Sequence, residues 1–297
     1  MSCDYYGLPT RALDSGLLRL EYLAEAGPRL VRLCLAGSEE NLLAETPDLA
    51  WDTPFGRYTL YGGHRLWHAP EAFPRSCIPD DQGLEVEELP DGVRLTRPAE
   101  PGTGIRKTLE VRLHPQRAAL SLHHDLQNDG LWPVELAPWA ITQLPLGGVV
   151  LLPQTLLPLQ GEALSPNRNL ILWPYTRWED RRLHPYDDLF LVEALPLPSP
   201  LKIGYLNRRG WTGYLRRGIL FCKRFVPQTG RPHPDWNCNV EVYLGDSFVE
   251  LETLGPLSRL EPGQSVRHTE GWEFFPVPDR PPTVEAIREL IASLPLP

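Results

Sequence analysis

The stretch Ile105-Arg-Lys-Thr-Leu-Glu-Val-Arg-Leu113, followed by His114-Pro115-Gln116 and then Ala119-Leu-Ser-Leu-His-His-Asp-Leu126, decides the fold class. Apolar and polar side chains alternate on both sides of a short turn, the period of a strand with one covered face, and two such runs joined this closely pair antiparallel. Pro90-Asp91-Gly92 joins Leu84-Glu-Val-Glu-Glu-Leu89 to Val93-Arg-Leu-Thr-Arg97 in the same way, because these residues accept turn geometry without strain. Working outward, Leu18, Leu20 and Tyr22 alternate with Arg19 and Glu21, and Val31, Leu33 and Leu35 alternate with Arg32 and Cys34. Strands are expected again at 218–225, 239–244, 248–253 and 271–275, whereas the Leu- and Pro-rich stretch 145–200 reads as short strands and long loops. The 33 prolines and 24 glycines interrupt every apolar run before it reaches helical length. The expectation is an all-β chain, a large antiparallel β-sandwich spanning 1–278 as one domain. Only the end of the chain reads as a short helix, within a tail at 279–297: Thr283 can cap it, Glu285 sits in its first turn, and Ile287, Leu290, Ile291 and Leu294 form one stripe.

Composition narrows the function. A formal charge of −9 over 297 residues argues against a nucleic-acid partner, which calls for a basic face. No apolar run is long enough to cross a membrane as a helix, and Met-Ser-Cys-Asp-Tyr-Tyr is no leader, so a cytoplasmic location without membrane contact is expected. Cys3, Cys34, Cys77, Cys222 and Cys238 are odd in number and widely spaced, which points to reduced, mostly buried thiols. Of 29 basic residues only Lys107, Lys202 and Lys223 are lysine. No Gly-x-Ser-x-Gly elbow, phosphate loop or dinucleotide fingerprint is present, so hydrolase, NTPase and Rossmann readings fall away and no cofactor is expected.

Two segments carry the candidate chemistry. In Phe248-Val-Glu-Leu-Glu-Thr253, strand period sends Val249 and Leu251 into the core and puts Glu250 and Glu252 on the opposite face, roughly 6 to 7 Å apart. Glu241, between Val240 and Val242, and Lys223, between Cys222 and Arg224, suit neighbouring strands on that same face. Such a face would serve as a ligand surface; the alternative, which strand pattern by itself favours, is a solvated face of cross-strand ion pairs. The second segment, Tyr61-Gly-Gly-His-Arg-Leu-Trp-His-Ala-Pro-Glu71, reads as a loop: Arg65 suits vicinal hydroxyls, Trp67 suits the apolar face of a pyranose, His64 suits proton exchange, and Glu71 adds a carboxylate. The alternative is a tight turn with a core tryptophan. His64, His68 and Glu71 match no standard ligand spacing, so no metal is expected. Trp132 and Trp139, Asp187 in Tyr186-Asp-Asp188, and the run Trp173–Asp180 offer further aromatic and acidic groups, with core or surface-loop roles as the alternatives.

Phe248-Val-Glu-Leu-Glu-Thr-Leu-Gly-Pro256, followed by Leu260-Glu-Pro-Gly and the closing Gly271-Trp-Glu-Phe-Phe275, resembles the end of aldose 1-epimerases and hexose-6-phosphate mutarotases. Gly62-Gly-His-Arg-Leu-Trp67, Asn128-Asp-Gly130 and Trp139 resemble a bacterial branch of the same galactose-mutarotase-like superfamily, and together these segments span about 55 to 275. The resemblance implies a twisted supersandwich binding a small-molecule sugar on a concave face; a monomer or weak homodimer is expected. It also implies ring opening by a glutamate that takes the anomeric proton and a histidine that protonates the ring oxygen. Carried over, the base falls on Glu252, His64 and Arg65 match the acid and the hydroxyl clamp, and Asp187 matches a further acidic ligand; the reading of the residues themselves adds Trp67, Glu71, Trp139, Lys223, Glu241 and Glu250 around the sugar. The Asn-His-x-Tyr-Phe-Asn segment of true aldose epimerases is absent, and Trp139 stands in that region. A non-catalytic carbohydrate-binding or sensing protein is the alternative.

Overall fold

A computed structural model describes residues 3–157, 165–278 and 283–296. Two antiparallel sheets face one another. In the larger, the strands run in space as Cys3–Tyr5, Leu8–Asp14, Leu18–Leu23, Arg29–Leu35, His64–Ala69, Val134–Pro145, Phe248–Leu254, Val240–Leu244, Leu201–Tyr205 and Ile171–Leu172, with Ser258–Leu260 added beside Val134–Pro145. The smaller runs Leu183–Pro185, Leu189–Glu193, Val149–Pro153, Trp211–Arg216, Ile219–Phe225, Ser265–Pro276, Ala119–Asn128, Ile105–Leu113, Gly92–Arg97 and Glu85–Leu89. The all-β sandwich expected from alternation is therefore present. The deciding hairpin pairs Ile105 with Asn128 and Leu113 with Leu120, and Leu89 pairs with Gly92 across Pro90-Asp91.

The main core lies between the sheets. Leu20, Leu33, Val242, Val249 and Leu251 of the larger sheet meet Val93, Leu109, Val111, Leu122 and Trp272 of the smaller one, all fully buried. The outer faces are also covered. On the larger sheet, the hairpin of Glu45–Thr53 and Gly56–Gly62 folds over the centre, and its Tyr58 and Leu60 pack on Trp67, Trp139 and Ile141. On the smaller sheet, the helix Val284–Ser293 lays Ile287, Leu290 and Ile291 against Val149, Leu151, Leu191 and Trp211. Thr283 caps that helix by accepting from the Ala286 amide, and the tail's residues 279–282 lie outside the described residues.

The segment 61–71, expected to be a loop, is a turn followed by a central strand. Tyr61, Gly62 and Gly63 all have positive φ (61°, 96° and 64°), which redirects the chain from the covering hairpin into the sheet, where all six residues of His64–Ala69 are buried. A Cβ at Gly63 would lie 1.8 Å from the Leu30 carbonyl oxygen, so the turn is open only to glycine. Gly63→Ala should destabilise the fold by about 2 kcal/mol or more. Gly16→Ala, at φ 76° with nothing within 4 Å of its Cβ, should cost far less. Urea unfolding midpoints of the two variants check this.

Candidate functional site

An open groove of about 580 Å³ lies on the outer face of the larger sheet, under the covering hairpin. Strand parity builds its floor, because Arg65 and Trp67, Trp139, Lys202, and Phe248 and Glu250 all project to this side of their strands. Trp51 and Leu60 come from the hairpin, Glu71 follows the central strand, and Tyr175 and Tyr243 complete the walls. Arg65 Nη2 donates to Glu250 Oε1 at 2.8 Å, Gln143 Nε2 donates to the same oxygen at 3.0 Å, and the guanidinium stacks 4.6 Å from the Trp67 ring. Nε and Nη1 of Arg65 have no partner. Burial pushes the Glu250 carboxyl above its ordinary range, against the opposing pull of Arg65.

Glu252, the expected base, is not open to the groove: it is 0% exposed, against 8% for Glu250. Trp139 Nε1 donates to its Oε2 at 2.6 Å and Lys202 Nζ reaches that oxygen at 3.2 Å, so both groove residues sit over it. Lys202 also pairs with Glu241 at 2.8 Å, and its ammonium lies 4.7 Å from the Trp139 ring and 4.8 Å from the Trp173 ring. One ammonium stands between two buried carboxylates. Burial lowers the lysine, but Glu241 and Glu252 outweigh it and hold the proton well above the ordinary range; burial in turn pushes the Glu241 carboxyl up.

The sheet divides the expected site residues. Arg65, Trp67, Glu71, Trp139 and Glu250 meet at the groove, and Glu252 and Glu241 lie in the buried layer that Lys202 joins to it. The expectation that His64 shares this cleft is corrected by parity: as Arg65 faces the groove, His64 faces the interior, 0% exposed. Lys223 is likewise corrected, since its strand Ile219–Phe225 belongs to the smaller sheet, pairing with Trp211–Arg216 and Ser265–Pro276. Asp187 is exposed in the turn before Leu189–Glu193, at the edge of the smaller sheet, and is not among the groove's lining residues. Trp132 is 77% exposed, and the neighbouring Asn128 is structural, its amide donating to the Trp132 and Leu260 carbonyls. Sequence reasoning missed Lys202, Gln143, Tyr175 and Tyr243 as individual site residues. The available signal was a lone lysine alternating with apolar residues in Leu201-Lys-Ile203 of an arginine-rich chain.

Inside the sandwich, His64 and Lys223 belong to a second polar cluster. His124 Nδ1 lies 3.1 Å from the His268 carbonyl and must donate to it, which leaves His124 Nε2 to accept from His64 Nε2 at 2.8 Å and His64 Nδ1 to accept from the Thr142 hydroxyl at 2.9 Å. Glu270 accepts from Lys223, Thr253 and Trp272. His64, His124 and Glu270 offer three ligand-type atoms within 4.8 Å of one another, but the Lys223 ammonium, 2.9 Å from Glu270, already supplies the positive charge a metal ion would bring. Burial keeps these imidazoles neutral, with His124 held down to about 4 and His268 to about 3.

No family model and no curated protein matches the sequence. Solved structures do match the fold. The chain is similar to a galactose mutarotase-like protein from Lactobacillus casei ATCC 334 (12% identity, TM-score 0.56, covering 90% of this chain and 100% of that one). It is similar also to a proposed aldose 1-epimerase from Escherichia coli K12 (13% identity, TM-score 0.52, covering 91% and 100%) and to the Slr1438 protein from Synechocystis sp. PCC 6803 (13% identity, TM-score 0.58, covering 90% and 96%). The architecture is the galactose-mutarotase-like supersandwich, as its C-terminal motifs had implied.

Two outcomes follow from these clusters. Lys202→Met strands Glu241 and Glu252 without a cation and should cost about 3–5 kcal/mol, read from chemical denaturation. Because the folded pKa values of His124 and His268 lie below that of a free histidine, the unfolded chain binds more protons below about pH 6.5. Stability should therefore fall as pH drops from about 6.5 towards 4, by about 1.4 kcal/mol per pH unit for each proton only the unfolded chain holds. Melting curves across that range check the slope, which His124→Phe should make shallower.

Proposed function

We propose that this protein binds a sugar or sugar derivative in the groove on its larger sheet, as a carbohydrate-binding protein in which anomer interconversion is at most a weak activity. The observation that carries the reading is the Arg65–Glu250 pair set among Trp67, Trp139 and Tyr175, with two guanidinium nitrogens of Arg65 unmatched. Aromatic rings suit the apolar C–H surfaces of a pyranose, and a fixed guanidinium with an adjacent carboxylate suits its vicinal hydroxyls. Ring opening needs a base and an acid. Glu250 offers a base, but no histidine lines the groove among the described residues, and the available donors hold their protons tightly: Lys202 is held well above its ordinary range, and burial pushes Tyr175 up.

A second reading, an aldose 1-epimerase, is favoured by the raised carboxyl of Glu250, which brings a base closer to neutrality, and by the names of the structural neighbours. We assign the protein to the cytoplasm. This is supported by the unpaired Cys34, Cys77, Cys222 and Cys238, which suit a reducing compartment; no helix among the described residues is long and apolar enough to cross a membrane.

Calorimetric titration with a panel of aldoses, ketoses and sugar acids should find a ligand whose affinity drops about tenfold in Tyr175→Ala, a change at a partly exposed wall residue. Polarimetry on a freshly dissolved anomer should show acceleration no greater than about 10²-fold, the lower end of what one acid or base supplies. Acceleration beyond about 10⁴-fold that Glu250→Gln removes would establish the epimerase instead, and failure of every sugar to bind would end both readings.

A further inference from the structure

Strand His64–Ala69 has a second polar side chain on its inner face. His68 is 1% exposed, and neither of its ring nitrogens has a hydrogen-bond partner. It borders a cavity of about 380 Å³ between the ends of the two sheets, away from the sugar groove, walled by Phe55, Pro74, Ile105, Val134 and Leu136. A neutral imidazole carries one N–H and one lone pair, and each left unmet in a buried wall costs about 1–3 kcal/mol. Folded proteins seldom leave such groups without something to complete them.

The charges around the cavity select what that something is. Lys107, beside the cavity-lining Ile105, is matched by Glu100 at 2.6 Å, and the Thr103 hydroxyl is committed to the same carboxylate at 3.0 Å. Arg75 lines the cavity with no carboxylate partner among the described residues; its bond is to the Pro70 carbonyl. In a chain with a net charge of −9, the uncompensated group here is a cation. Lys107 and Arg75 add to burial in keeping His68 uncharged, so its N–H donates as a neutral group. Phe55, partly exposed, lies over Gly102, where any Cβ would come within 2.7 Å of the ring.

We infer that this cavity binds a small apolar-tailed carboxylate, its head between His68 and Arg75 and its tail along Phe55, Ile105, Val134 and Leu136. The volume sits at the small end of ligand pockets, which suits a short acyl or aryl acid. The assignment is independent of the sugar reading, because Trp67 and His68 face opposite sides of one strand.

Hexanoate and its uncharged isostere hexanamide separate the possibilities. Calorimetry with the intact protein should show hexanoate binding at millimolar or lower concentration and hexanamide at least tenfold more weakly, while nitrogen-15 spectra show the His68 imidazole signals moving with hexanoate. Arg75→Gln should weaken hexanoate at least tenfold, and His68→Phe should abolish binding while melting no lower than the wild type, since it removes unmet polar atoms. If His68→Phe does not fold, Arg75→Gln at the partly exposed rim carries the test. Equal binding of the acid and the amide, unaltered affinity in Arg75→Gln, an unmoved His68 signal or a cavity holding ordered water alone would each overturn the assignment.

Discussion

The middle strands of the larger sheet are covered on both faces, and the rest of the molecule follows from that constraint. His64–Ala69 and Phe248–Leu254 have no exposed residue at all. A covered strand that keeps polar side chains must find partners for most of them within the protein, and among the described residues His68 is the one side chain of these two strands left without any. Here the satisfaction is divided by parity: Arg65, Glu250 and Glu252 pair on the groove side, and His64 and Thr253 enter hydrogen-bonded chains on the interior side. A one-residue slip in register would exchange the two sets and strand every member, so the polar content of these strands fixes their alignment as firmly as their apolar content.

The buried lysine pairs share a common form. Each of the three lysines is at most 5% exposed and faces a glutamate: Lys107 with Glu100, Lys202 with Glu241 and Glu252, Lys223 with Glu270. A compact ammonium can sit between two strands where a planar guanidinium, with its wider fork, would need more room. Arginine elsewhere serves mainly at the surface, as in the Arg267–Asp125 and Arg94–Glu110 bridges across the outer face of the smaller sheet. Such exposed pairs contribute little, whereas removing one partner of a buried pair leaves a charge in a medium that solvates it poorly.

Much of the fold was legible because alternation is a local signal. Each strand of the hairpin 105–126, the strand at 248 and the C-terminal helix could be read from a dozen residues or fewer. The orientation of Glu250 and Glu252 away from Val249 and Leu251 was equally local, and the structure has it. What could not be read was the identity of each strand's neighbour. Lys223 has the right alternation but lies in the opposite sheet, and His64 and Arg65, adjacent in sequence, are separated by the thickness of a strand. The depth at which Glu252 lies was also hidden, because the residues above it, Trp139 and Lys202, come from strands distant in sequence. A register shift between Glu21 and Tyr22 breaks the simple alternation of the neighbouring strand, so that Val31 packs with Tyr5 and Tyr61 rather than with Leu33.

The placement of the lysines also determines how the native surface meets electrophiles. With all three ε-amines enclosed and charge-paired, reagents that acylate or alkylate amines find no accessible side-chain nucleophile of that kind on the folded molecule. Modification of Lys107 and Lys223 therefore reports on opening of the sandwich itself, and modification of Lys202 on opening of the groove side of the larger sheet. The protein carries a built-in chemical record of whether its two sheets have parted.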